Sequence, residues 1–367
     1  MALSKIPSAG FQDNVKFRNI IINGDMSIAQ RGTSASSLSG VANSYDTCDR
    51  WIFNRSNAGT WTQSQSTDVP TGQGFAKSLK MDCTTADASL STGDYLKVSQ
   101  YIEGQNLQYL KKGTANAESM AVSFWVKSNK TGTYICEIFD NDNSRSISKS
   151  YTINSANTWE KKIINIPADT TGALDNDNNT SLLLTFWLAG GTDYTSGTLQ
   201  TDWGSLTSSN RAVGQVNLAD STSNEWYITG VQLEAGTTAS DFEFLPVDVN
   251  YQRCARYFQK SYELATTPGT ATGTGIQIQR GSTQAGQYIG STINLETRMR
   301  AIPTVTSYDH SNANTSGQWN YDRNGASGGV STGISGQGEK SFRIESAIGA
   351  NWVVAQFYGH YTANAEL

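Results

Sequence analysis

The sequence predicts an all-β chain with a jelly-roll-like β-sandwich, a short connecting α-helix and a smaller C-terminal β-sandwich. Three observations carry this reading. Short runs rich in β-branched and aromatic residues recur along the chain, separated by clusters of Gly, Asn, Asp and Ser, as antiparallel strands joined by turns require. Helical periodicity is almost confined to one stretch, beginning at residue 247. No fixed-period repeat is visible, which sets aside solenoids and β-helices.

In chain order, residues 1–16 are mixed and turn-rich and read as an arm that docks on another protein. Residues 17–28 (FRNIIINGDMSI) predict a strand, a tight NGD turn and a second short run. Strands are then expected at 45–53, 75–81, 95–102, 120–127, 132–139, 159–166, 181–188 and 226–234, with room for one helical turn within 100–112. In the last of these strands Tyr227, Thr229, Val231 and Leu233 share one alternation. These elements fit a two-sheet antiparallel sandwich over residues 17–246. Gly236 and the polar run 237–240 end the strand, Phe242 and Phe244 re-anchor the chain, and Pro246 forbids immediate continuation of the ladder.

From Val247 the period changes. Val247, Tyr251, Cys254 and Phe258 are spaced 4, 3 and 4, with Arg253, Arg256 and Lys260 on the other sides. That is a helix, assigned to 247–265, with a narrow apolar seam. The seam fits a short oligomer stalk or a connector packed on a neighbouring domain, since two heptads are too short to stand alone. Residues 266–367 return to strands at 275–280, 287–295, 304–308, 341–346 and 352–361, with 312–338 a Gly-rich loop or hairpin system, and read as the second sandwich.

Composition narrows the function. Charged residues are 16% of the 367, well below the ~25% of typical soluble domains, which fits β-rich extracellular or virion proteins better than cytosolic enzymes. The net charge of -5 leaves no basic field for a phosphate backbone, so nucleic-acid binding is not expected. No apolar run approaches the ~20 residues of a membrane helix, and neither a signal peptide nor membrane insertion is expected. Cys48, Cys83, Cys136 and Cys254 lack metal-type spacing and read as buried free thiols, which suits folding in a reducing cytoplasm.

Little in the chain reads as chemistry. The only two histidines, His310 and His360, have no partner at triad or metal spacing. Residues 140–144 and 175–179 alternate oxygen ligands like the start of a calcium loop, but Arg145 and Thr180 stand where glycine is wanted and Tyr151 and Phe186 where the bidentate glutamate belongs. Asn- and Asp-rich turns explain them; Asp25 is a weaker candidate of the same kind. No catalytic residue, metal or cofactor is expected. Nine tryptophans and sixteen tyrosines suit sugar recognition by stacking. Trp125, Trp187, Trp226 and Trp352 lie in apolar strands and are assigned to packing, whereas Trp61, Tyr194, Trp203, Trp319 and Tyr321 lie in polar, turn-like settings and are the glycan-contact candidates, with packing or subunit contact as the alternative.

Five stretches carry a family resemblance: NIIINGDMSIAQRGTS (19–34), YDTCDRWIF (45–53), VQLEAGTTASDFEFLPVDVNYQRCARYF (231–258), MRAIPTVTSY (299–308) and the tail YTANAEL (361–367). In this order they resemble bacteriophage tail-fibre and related virion-fibre proteins. The most specific part is the QLE strand, the Pro hinge and the CxRYF helix; Phe258 stands where a second tyrosine is common. The resemblance implies a non-enzymatic, homotrimeric fibre or knob, docked to other virion proteins at one end and presenting β-domains to a host-surface glycan or other receptor. It implies a virion protein made in the host bacterial cytoplasm and released by lysis. Val247, Tyr251, Cys254 and Phe258 would then be the subunit interface. The alternatives are a head-fibre, decoration or tail-connecting protein without a receptor site and, third, a glycan depolymerase.

Overall fold

The computed structural model describes residues 17–283, 285–323, 326–347 and 352–367; the expected docking arm over 1–16 lies outside them. Two β-lobes follow one another. The first contains β1 (Ser34–Leu38), β2 (Val41–Ser44), β3 (Ile52–Ser56), β4 (Thr60–Ser66), β5 (Ser78–Thr85), β6 (Tyr95–Glu103), β7 (Met120–Ser128), β8 (Gly132–Asp140), β9 (Arg145–Ile153), β10 (Glu160–Ile166), β11 (Thr180–Gly190), the single-turn helix α1 (Thr192–Thr195), β12 (Gly204–Ser205) and β13 (Glu225–Ala235). They form a six-stranded sheet, β1-β4-β5-β13-β7-β10, and a seven-stranded sheet, β12-β9-β8-β11-β6-β3-β2.

Alternation along the strands builds the core between these sheets. In β6 Leu96 and Val98 turn inward, and β11 contributes Leu182, Leu184, Phe186 and Leu188, all fully buried. Phe124, Phe186, Tyr151 and Trp226 meet edge-on or tilted at centroid distances of 4.9–6.1 Å, the aromatic geometry that adds to burial itself. The four cysteines are free and buried, and burial raises the thiol pKa of each.

The second lobe begins with α2 (Val247–Ala255) and β14 (Phe258–Lys260) and continues through β15 (Gln277–Thr283), β16 (Tyr288–Asn294), β17 (Thr304–Tyr308), β18 (Gln318–Arg323), β19 (Ala326–Ser331), β20 (Gly333–Ser335), β21 (Ser341–Ala347) and β22 (Trp352–Asn364). The long β22 pairs with β14, β15, β17 and β18, and a separate three-stranded sheet runs β16-β21-β20. Ile289, Ile293, Phe342, Ile344, Phe357 and Trp319 form its core.

The all-β expectation holds, with differences in particular elements. Residues 17–28 contain no strand. Side-chain amides satisfy this segment instead of a ladder: Asn23 donates to Ile28 O (2.9 Å) and accepts from Ile28 N (2.9 Å), Asn19 donates to Val231 O (3.1 Å), and Gln100 bonds both backbone groups of Ile22 at 2.8 Å. Gly24 allows the close approach, because a Cβ there would lie 2.1 Å from Val231 O. Residues 45–51 are likewise bends leading into β3. The strands that pattern reading passed over, such as β1 (SASSL), β4 (TWTQSQS) and β9 (RSISKSYTI), carry mostly small polar residues.

The helix also differs. It ends at Ala255, and Phe258 belongs to β14. Cys254 is fully buried in a cluster with Ile22, Ile28 and Tyr257, Tyr251 is half-buried against the same cluster, and Phe258 is 4% exposed. The seam expected at a subunit interface therefore packs mostly on its own chain, and only Val247 remains open, at 67% exposure. The chain turns into a β22-paired strand before a second heptad can form, so the apolar side docks on residues 20–28 instead.

The stretches that resemble virion fibres meet at this joint between the lobes. Arg256 donates twice to the Glu103 carboxylate (2.8 and 2.7 Å), and the Tyr257 hydroxyl donates to the same group. The guanidinium of Arg50 lies 3.5 Å above the Tyr257 ring and that of Arg31 3.8 Å above Phe258. Both arginines also pair with Glu366 of the YTANAEL tail. In the QLE strand, Glu234 accepts from the backbone N–H of Ser240 (2.8 Å), and Gln232 accepts from that of Glu243 (2.8 Å), which orders the loop before Pro246.

Candidate functional site

A candidate surface forms on the outer face of the seven-stranded sheet. The alternation that turns Leu96 and Val98 inward sends Tyr95, Lys97, Ser99 and Tyr101 outward, and register places Trp187 opposite Lys97 and Leu183 opposite Tyr101. Glu137 and Ile135 of β8 face the same way. The segment between β11 and β13 folds back over one end of this face. Gly191 admits it: a Cβ would sit 2.1 Å from Ser91 O and 2.4 Å from Thr92 O. Bonds from Ala212 N to Tyr194 O (2.9 Å), Val216 N to Thr133 O (3.0 Å) and Ser148 Oγ to Arg211 O (2.8 Å) hold it in place.

Where the segment meets the sheet, Ile135, Trp187 and the segment's own Ala212 are fully buried, with Tyr95, Tyr194 and Leu199 packed around them. Glu137, also fully buried, accepts from Nε–H and Nη2–H of Arg211 (2.7 and 2.9 Å) and from the Trp187 indole N–H (3.0 Å). That carboxylate is thus consumed by the scaffold. Tyr194 stands edge-on to Tyr95 (centroids 5.6 Å, 85°) and 5.2 Å from Trp187. It lines an open hollow of 670 Å³ with Thr192, Asp193, Ser196, Ser208 and Ser209, and burial raises its hydroxyl pKa.

Lys97 lies beside this cluster. Its ammonium sits 4.4 Å from the Tyr95 centroid and 4.9 Å from that of Trp187. Its pKa is pushed down to about 8, first by burial and then by the like charge of Arg211, against the pull of Glu137. Further along the face, Asn54 donates to Asn43 Oδ1 (3.0 Å) and to the Tyr101 hydroxyl (3.2 Å).

The five sequence-selected aromatics are not brought together. Trp61 and Trp319 are fully buried, with their indole N–H groups used by Ala58 O (2.8 Å) and His360 O (2.7 Å), so the expectation that they face a ligand is corrected. Their polar neighbours in sequence occupy strands whose alternation turns the indole inward. Trp203 is half-buried, donates to Pro167 O (2.8 Å) and lies under the Lys112 ammonium at 5.0 Å. Tyr321 packs against the second-lobe core, below Arg323 at 5.4 Å. Of the five, Tyr194 lines the open hollow described above. Sequence reading missed its neighbours Asp193, Lys97, Tyr95 and Arg211; the alternation of β6 was the available signal for the outward pair Tyr95 and Lys97.

The other groups weighed in the sequence have scaffold partners. Asp140 accepts from Lys112, whose ammonium also meets Asp169 (3.0 Å), Thr171 O (3.2 Å) and Gly172 O (2.9 Å). A lysine thus occupies the centre of that oxygen cluster. Asp25 accepts from Ser27 Oγ (3.0 Å) and Asn250 Nδ2 (3.1 Å). No three His, Cys, Asp or Glu side chains converge on a metal position among the described residues. His360 stacks on Tyr262 at 3.8 Å, and the Nδ1 of His310 lies 2.7 Å from Asn320 Oδ1.

An aromatic ring beside a carboxylate and several hydroxyls can stack on a sugar ring and hydrogen-bond its hydroxyls. Asp193 is the one carboxylate lining the hollow, whereas glycoside cleavage takes two across the scissile bond.

No family model and no curated protein sequence matches the chain. Solved structures of low similarity include the enzymatically active domain of tailspike protein 4 of bacteriophage CBA120 (14% identity, TM-score 0.32, over 60% of this chain and 22% of that one). Two others are TmCBM61 in complex with β-1,4-galactotriose (11%, 0.30, 59% and 99%) and the family 11 carbohydrate-binding module of Clostridium thermocellum in complex with a mixed-linked tetrasaccharide (11%, 0.28, 57% and 99%).

Proposed function

We propose that this chain is a fibre component of a bacteriophage particle and attaches it to the host surface by binding glycan in the Tyr194 hollow. The observation that carries the binding reading is that hollow: a ring held by Tyr95 and Trp187, flanked by Asp193 and hydroxyl side chains, and open to solvent. The phage reading rests on the motifs that meet at the lobe joint. A single shallow site of this kind binds at about millimolar Kd, on the order of -4 kcal/mol, and repetition around a particle raises the effective concentration.

The proposed assembly is a homotrimer within the virion, with residues 1–16 docking to other virion proteins. Of the sequence-selected interface residues, Val247 remains available to a sister chain and adjoins Leu264, 42% exposed, across an apolar hollow. Solution mass tests this: a trimer is expected near three times 39.7 kDa, and a monomer refutes it.

Binding of the full chain to host cells and to a glycan array tests the function, with Tyr194→Ala expected to lose most of the signal while remaining folded. Unchanged binding by that variant overturns the site. No binding by the wild-type chain, together with tight attachment to capsid protein, replaces the adhesin with a head-fibre or decoration role.

A further inference from the structure

A second concavity lies at the lobe joint, away from the Tyr194 hollow. This cleft, of 310 Å³, is walled by residues 17–22, the end of β6, the turns that follow it and α2. Its volume is at the lower end of the ~300–1,000 Å³ of small-molecule sites. Two arginines line it, in different states. Arg256 is neutralised by its two bonds to Glu103. Arg253 has no ion pair: its Nη2 donates to the carbonyls of Asn19 (3.2 Å) and Ile20 (3.4 Å), and neither Nε–H nor Nη1–H has an acceptor among the described residues. Glu243, the carboxylate that acts on Arg253 through space, is occupied by the backbone N–H groups of Phe17 and Asn19 at 2.5 and 2.9 Å.

Arg253 is half-buried, and its Nε–H and Nη1–H reach solvent at the cleft, where an anion can take the place of water. With Nη2 engaged by the two carbonyls, its Nε–H and Nη1–H can each give one charge-assisted bond to a carboxylate oxygen. The rim supplies what a ring with hydroxyls needs: Tyr109 is 48% exposed, and the exposed Asn106 amide has no described partner. Arg253 makes no direct ion pair but lies within the field of the Glu243 carboxylate, so the cleft matches a monoanion better than a dianionic phosphate. We infer that this cleft binds a carboxylate-bearing sugar unit, a uronic-acid type of ring, with its carboxylate on Arg253 and its ring against Tyr109. The inference does not rest on the Tyr194 hollow, and binding at either site can fail without the other.

Ligand-observed NMR titration of the full chain with glucuronate, glucose and inorganic phosphate, at low and high salt, tests it. Glucuronate is expected to bind, to weaken with salt, and to exceed glucose and phosphate by about tenfold or more, the equivalent of one charge-assisted contact. Arg253→Gln should lose that advantage, Tyr109→Ala and Asn106→Ala should weaken glucuronate severalfold, and Tyr194→Ala should leave it unchanged. Equal binding of glucose and glucuronate, tighter binding of phosphate, no binding of glucuronate, or unchanged affinity in a folded Arg253→Gln chain overturns the inference. Should Arg253→Gln fail to fold, the exposed-rim variant Tyr109→Ala decides: unchanged glucuronate affinity in that variant also overturns it.

Discussion

Glu103→Gln tests whether the fibre-like CxRYF motif acts as a clasp between the lobes. Glu103 is fully buried at the end of β6, while Arg256 keeps 28% of its side chain in solvent. The substitution removes the charge behind the bonds of 2.8 and 2.7 Å and weakens the acceptor of the Tyr257 hydroxyl. Breaking a buried ion pair from one side costs about 3–5 kcal/mol. Water at Arg256, and the acceptor oxygen retained by the amide, bring the expected loss to about 2–3 kcal/mol. Across 367 residues, at about 2.1 cal/mol/K per residue, that lowers a single cooperative melting transition by about 3–4 °C.

Calorimetry of wild type, Glu103→Gln, Arg256→Gln and the double variant measures the loss and its pairwise part. The pH dependence has a definite sign. Glu103 sits below the usual glutamate range because its bonds to Arg256 and Tyr257 outweigh desolvation, which acts first and in the opposite direction. A carboxyl with a depressed folded pKa stabilises fully above the unfolded value of ~4.3 and loses this contribution as pH falls through the folded one. The gap between wild type and Glu103→Gln should therefore be constant above about pH 5 and close in more acidic solution. A pairwise coupling below about 0.5 kcal/mol, or a gap that widens on acidification, would refute the clasp.

Lys112→Met leaves Asp140 and Asp169 without their shared ammonium and should cost about 3–5 kcal/mol in urea unfolding; a loss under about 1 kcal/mol would show that Arg145, which binds Asp169 at 2.9 and 3.0 Å, and Asn143 suffice. Gly24→Ala sets a methyl against Val231 O and should destabilise by more than about 3 kcal/mol, read as lost soluble yield or a lower melting point. In protein carrying ¹³Cε-lysine, Lys97 and Lys260 should titrate near the values of about 8 to which burial pushes them, and Lys97→Met should remove one of the two signals; midpoints near the ordinary ~10.4 would contradict both environments. Because these folded pKa values are depressed, stability should rise as pH climbs through 8 toward the unfolded range.

The all-β class is legible in the amino-acid pattern, as are the strands whose β-branched or aromatic residues alternate clearly, β6, β7, β8, β11 and β13 among them. Those strands are legible because a buried face imposes a period of two on the residues themselves. Strands such as β1 and β4 were not, since small polar side chains leave backbone pairing without a hydrophobic signature. The remaining features depend on which distant segments pack together. An indole in a polar-looking run can face either way, and pairing turned Trp61 and Trp319 inward. The stripe of Val247, Tyr251, Cys254 and Phe258 shows that a surface must be covered without saying by what; here residues 20–28 of the same chain cover most of it. The packing of Tyr194 on Tyr95 and the Arg253 cleft, which includes Tyr109, join residues far apart in sequence, and nothing in the local pattern of either part records the other.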